Sequence, residues 1–138
     1  MKSWTDEYLG IPFKLDGRDR NGVDCYGLVY LVYKEQLGIE LNSFSGIFKD
    51  TDPKTMLEIA RTMDKDRSNW LSPSKLQEFD MVQLRTGRHA FHVGIYVGNG
   101  LMLHTESGID ATIENLKSPL WASRLEWIYR HKAYKCQT

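Results

Sequence analysis

Cys25, His92 and His104 are the side chains on which nucleophilic chemistry can be built in this chain. Cys25 stands in the stretch NGVDCYGLVYLVY, behind an Asn21-Gly22 turn signal and an acid, and ahead of a nearly unbroken apolar run. If a helix starts at Asp24–Cys25, the thiol lies among unpaired backbone N–H groups at the positive end of the helix dipole. That setting favours a thiolate and lowers a cysteine pKa from about 8.5. Gly27, in the first turn, leaves room for another backbone or a substrate to approach. A free cysteine taken alone is more often a small buried hydrophobe, so the assignment depends on finding a base.

Four histidines are available: His89, His92, His104 and His131. His92 and His104 flank the turn Val97-Gly98-Asn99-Gly100-Leu101, which admits two registers. A two-residue Asn99-Gly100 loop opposes Gly98 to Leu101 and puts the two histidines on opposite faces of the hairpin. A three-residue loop with Gly100 in the left-handed region opposes His104 to Gly94, and His92 then lies diagonally beside His104. Turn statistics favour the first register and chemistry the second, which is adopted here. His92 then takes the proton of Cys25 while His104 holds the second ring nitrogen, the nucleophile–base–orienter arrangement of a thiol hydrolase. Glu106 falls opposite His92 and is the rival orienter. A zinc site from the same three side chains lacks the paired cysteine spacing of such centres.

These residues need a helix and a hairpin to position them. From Asp24 to about Leu37 the chain is apolar on almost every side and ends at Gly38, which marks a central, buried helix. Asp52-Pro53 starts a second, amphipathic helix reaching about residue 65. Alternating segments then predict strands at about 80–85, 91–97, 101–106, 110–114 and 124–130. Helices followed by a run of strands indicate an α+β domain, residues 1–138, with an antiparallel sheet packed on the buried helix. Its 138 residues allow a substantial core. Lysine plus arginine (18) balances aspartate plus glutamate (18), which argues against a nucleic-acid partner. No apolar run reaches the length of a membrane span. The amino terminus MKSWTDEYLG lacks the apolar centre of a signal peptide, so synthesis in the cytoplasm is expected. Cys25 and Cys136 are expected as free thiols, and no cofactor or metal is expected.

The segments Gly10-Ile-Pro-Phe13, Gly22-Val-Asp-Cys-Tyr-Gly-Leu-Val29, FDMVQL, His92-Val-Gly-Ile-Tyr-Val-Gly-Asn-Gly100 and Leu101-Met-Leu-His104 resemble the NlpC-like family of bacterial cell-wall cysteine peptidases. The resemblance implies a minimal papain-like fold with Cys25 as nucleophile, His92 as base and His104 as third polar residue. It places Asp24 where relatives contact the substrate peptide. The implied substrate is the peptidoglycan stem peptide, typically cut between D-glutamate and the following diamino acid. Two departures bear on the pocket. Tyr26 stands where many relatives have Ser, and Phe13 where many have a tyrosine whose hydroxyl serves the oxyanion, a role for which Tyr8 or Tyr26 is the available substitute. GRDRNGVDCYGLVYLVYKEQLG and SPLWASRLEWIYRH further resemble the phage and prophage branch, which implies a virion-associated protein with other tail proteins as partners. A tail-assembly protein with weak or no hydrolysis, and a thiol amidase or acyltransferase, are the alternatives.

Overall fold

A computed structural model describes residues 3–48, 50, 52–86 and 89–134. Cys136 therefore lies outside the described residues. After a 3-10 turn at Trp4–Glu7, two short strands, β1 (Arg18–Asp19) and β2 (Gly22–Val23), pair across Arg20-Asn21 and lead into helix α1 (Cys25–Val32). Asp24 caps α1, its Oδ1 accepting the Gly27 N–H at 2.7 Å. A cap of this kind contributes about 1 kcal/mol. Tyr26, Gly27, Leu28, Val29, Leu31 and Val32 are all buried, so α1 is the central element that its all-round apolarity predicts. The expected α-helix does not run unbroken to Leu37, because Tyr33–Leu37 winds into a π turn before Gly38 stops it. Gly27 serves a backbone and not a substrate: a Cβ there would stand 1.9 Å from the Gly17 carbonyl oxygen.

Helix α2 (Pro53–Lys65) begins as predicted, with Asp52 accepting from the Lys54 N–H at 2.9 Å. The strands follow: β3 (Trp70–Leu71), β4 (Met81–Thr86), β5 (His89–Gly98), β6 (Leu101–Glu106), β7 (Ile109–Asn115), then a short helix α3 (Pro119–Ala122) and β8 (Leu125–His131). They form a six-stranded antiparallel sheet in the order β3-β8-β4-β5-β6-β7. The expected α+β class and all five expected strands are present. Period-2 alternation divides the side chains between two cores. Met81, Val93, Ile95, Leu103 and Tyr129 join α1 in the larger one. Val82, Leu84, Met102, Leu116 and Trp121 of α3 form the smaller one on the other face. No helix among the described residues is long and apolar enough to cross a membrane.

Candidate active site

The β5–β6 turn combines features of both registers read from the sequence. Gly98 opposes Leu101, and Asn99 (φ 55) and Gly100 (φ 79) are both left-handed, as a two-residue hairpin turn of the primed type requires. A bulge then gives β5 one extra residue at Val97–Gly98, so that Tyr96 pairs with Met102 and Ile95 with Leu103. This restores the register in which His104 lies across from Gly94. His92 Nε2 and His104 Nδ1 are accordingly 2.8 Å apart. A Cβ on Gly94 would lie 3.2 Å from His104 Cβ, so the glycine makes space for the ring.

A second bulge extends this contact pair. β7 carries one extra residue between the pairs Glu106↔Ile109 and His104↔Thr112, and Met102 opposes Glu114. Glu114 thereby stands diagonal to His104 on the same face. Its Oε2 pairs with His104 Nε2, and its Oε1 accepts from Trp121 Nε1 at 3.2 Å. Trp121 stacks on His92 (5.6 Å between ring centroids) and meets His104 edge-on (5.2 Å). His92 is 3% exposed and His104 not at all. The carboxylate at the end of this chain is thus Glu114, which sequence reasoning missed, and not Glu106. Its one sequence signal is its register position, which depends on a bulge that no local pattern announces.

Cys25 opens α1 and keeps partial exposure. The backbone N–H groups of Val93 and Tyr26 favour the thiolate, which sets the sulfur near the middle of β5, at the residue that follows His92. The two imidazoles lie on the face of β5 that carries Trp121, opposite the Val93 side chain. Burial of the sulfur, then the Asp24 carboxylate, push the thiol up to about 12, against the pull of those N–H groups. This corrects the expectation that the helix terminus alone leaves a low-pKa thiolate. Burial first, then His104, hold His92 down at about 3. Both shifts favour the uncharged forms, a neutral thiol at Cys25 and a neutral imidazole at His92.

Three further expectations change. Asp24 has no carboxylate oxygen to offer a substrate: it is buried and holds the Gly27 N–H, the Asp16 N–H at 2.8 Å and Arg18 Nη1 at 2.8 Å. Tyr26 does not shape a pocket, because its ring is fully buried against Phe44 and Phe48 and its hydroxyl donates to the Asn42 carbonyl at 2.6 Å. Tyr8 is equally unavailable to an oxyanion, since its hydroxyl donates to Glu35 at 2.8 Å in the π turn. Glu35 lies ten residues beyond Cys25, roughly 15 Å along a helix. Phe13 is half-buried and bridges Val23, two residues before Cys25. His131, at the end of β8, packs edge-on to Trp70 of β3. Among the described residues no group of three or more His, Cys, Asp or Glu is arranged to hold a metal. A cleft of about 310 Å³ between α2 and the sheet is lined by Met63, Arg67, Trp70, Gln83, Val93 and Tyr129 among others, and reaches the strand beside the sulfur.

The chain is similar in sequence to named cell-wall enzymes and in fold to solved structures. Murein DD-endopeptidase MepS/Murein LD-carboxypeptidase of Escherichia coli K12 is 29% identical over 124 residues, covering 90% of this chain and 57% of that protein. Murein DD-endopeptidase MepH of the same strain is 33% identical over 119 residues, covering 83% of this chain and 39% of that one. The chain thus spans little more than half the length of the first of these relatives. Among solved structures, NlpC2 from Trichomonas vaginalis superposes with a TM-score of 0.66 at 20% identity, over 92% of this chain and 44% of that one. That likeness is one of fold, and the fold is the papain-like one expected from the sequence. The model of the NlpC/P60 family matches residues 10–130, and the chain belongs to that family.

Proposed function

We propose that this chain is a thiol endopeptidase of peptidoglycan stem peptides, with Cys25 as nucleophile, His92 as base and His104 as the residue that orients the base. The carrying observation is that Cys25 stands at the capped start of a buried helix, near the backbone of Val93, and that the ring of the preceding residue, His92, is tied to His104. His92 Nε2 is engaged by His104, so Nδ1, the ring nitrogen nearer the main chain, takes the thiol proton. The sulfur adds to the scissile carbonyl carbon, and the carbonyl pair moves to oxygen. The Cys25 N–H has no carbonyl within the helix to satisfy and is a donor for that oxyanion. Collapse of the adduct expels the amine, which takes the proton back from His92 and leaves a thioester. Water, deprotonated by His92, releases the acyl product and the thiol. Catalytic hydrogen bonds in resting sites are commonly loose and tighten around substrate, so the approach of Cys25 to His92 belongs to the substrate complex.

The scissile bond in this reading joins D-glutamate to the diamino acid. A second reading, cleavage of a D,D cross-link, is favoured by the names of MepS and MepH. The phage-like segments support delivery to the wall by a virion, with tail proteins as partners. Mass spectrometry of muropeptides after digestion of purified peptidoglycan tests the activity, and the product masses separate the two bonds and separate hydrolysis from acyl transfer. Cys25→Ser should abolish release. Unchanged muropeptides with the native protein would reduce the chain to a structural role.

A further inference from the structure

We propose that Glu114 is a positioning residue that sets the tautomers of both histidines and thereby keeps Nδ1 of His92 free to accept a proton. This rests on the thiol-hydrolase reading above. An ionised carboxylate only accepts hydrogen bonds, so His104 must donate from Nε2 to Glu114. A neutral imidazole carries one proton, which leaves His104 Nδ1 bare. The 2.8 Å contact between His104 Nδ1 and His92 Nε2 then requires His92 to donate. The single proton of His92 is thus on Nε2, and Nδ1 is the open base. Trp121 closes the set: its indole N–H, a donor only, takes the other oxygen of Glu114. Its ring also lies against both imidazoles, which holds them from turning over.

This geometry makes Glu114→Gln worse than Glu114→Ala. In the glutamine variant the Trp121 N–H claims the amide oxygen and turns the amide nitrogen onto His104 Nε2. That nitrogen must now accept, so the His104 proton moves to Nδ1 and is donated to His92 Nε2. The proton of His92 is displaced to Nδ1, and the base is closed. Alanine imposes no such order and leaves both tautomers accessible. A residue needed only for shape gives the reverse ranking, because glutamine preserves shape and alanine does not.

The test compares native protein, Glu114→Ala, Glu114→Gln and Glu106→Gln in the full chain. It measures rates on a soluble disaccharide-peptide released from peptidoglycan and ring ¹⁵N NMR of the histidines. Wrong-tautomer variants of directly coupled carboxylates lose about 10⁴-fold; one histidine further away, Glu114→Gln should lose about 10²-fold in kcat with KM within about twofold. Glu114→Ala should lose less. The spectra should show His92 Nδ1 unprotonated in the native protein and protonated in Glu114→Gln. Glutamine matching the native rate, glutamine outperforming alanine, an unchanged tautomer, or an equal loss in Glu106→Gln would each overturn the proposal. If Cys25→Ser remains active, the thiol-nucleophile reading fails, while the spectra still judge Glu114.

Discussion

Cys25 is held between opposing influences: a helix terminus and two N–H groups that favour the thiolate, and burial with Asp24 that oppose it more strongly. Its reactivity should therefore depend on an internal proton acceptor. Iodoacetamide labelling of the Cys25 peptide at pH 7, followed by mass spectrometry, should slow about tenfold or more in His92→Ala; equal rates would remove His92 from the pair. His92 also links stability to pH. Its folded pKa, about 3, lies below the unfolded value near 6.5, so the unfolded chain binds the extra proton first. The contribution is complete above 6.5 and lost as pH falls towards 3, and His131, also lowered by burial, adds the same sign. Urea midpoints should decline through that window, and less steeply in His92→Gln. At Phe13, beside the strand that leads into Cys25, restoring a hydroxyl by Phe13→Tyr should raise the rate or leave it unchanged. A large loss would give the ring a packing role. The contact between His92 and His104 was legible from the hairpin that carries them. Tyr8, Tyr26 and Asp24 were misread because their partners, Glu35, Asn42 and Arg18, are supplied by other segments.

Elements differed in how far local signals carried. Capping residues marked the starts of α1 and α2, and alternation marked the five longer strands. β1, β2 and β3 have two residues each, too few for a period to register. The π turn after α1 is itself built largely of good helix formers, Lys34, Glu35, Gln36 and Leu37, and nothing local distinguishes it from an α-helix. The β5–β6 hairpin defeated an either-or choice because its turn and its bulge each contribute part of the register. Gly100 (φ 79) sits in that turn with Lys117 Cε 3.0 Å from where a Cβ would stand. Gly100→Ala should cost about 1–2 kcal/mol, read from denaturant unfolding, and should lower the rate through the position of His104. Stability equal to native would mean that the turn has rearranged.

Across the whole molecule, helices first and strands afterwards were sufficient for the α+β class, while the attachment between the amino-terminal segment and α1 was not legible. Arg18 makes that attachment. Its guanidinium lies over Tyr26 and Phe48, donates to the Ser43 carbonyl at 2.8 Å and pairs with Asp24, at 12% and 2% side-chain exposure. Arg18→Met strands a buried carboxylate and should cost about 3 kcal/mol by urea unfolding, with part of it recovered by adding Asp24→Asn. A loss below about 1 kcal/mol, or no recovery, would show that water or Asp16 replaces the guanidinium. The two bulges have a reach beyond their own hairpins. Side-chain facing in a strand is a parity, and each bulge reverses it once. Deleting one residue from Val97–Gly98, or from the β7 bulge, would leave every member of the His92–His104–Glu114 chain in place in the sequence and move one of them through the sheet. A descendant of this chain could thus fall silent with no residue of the relay altered. Comparing those residues one by one would still count it as intact, whereas counting the spacing between them would not.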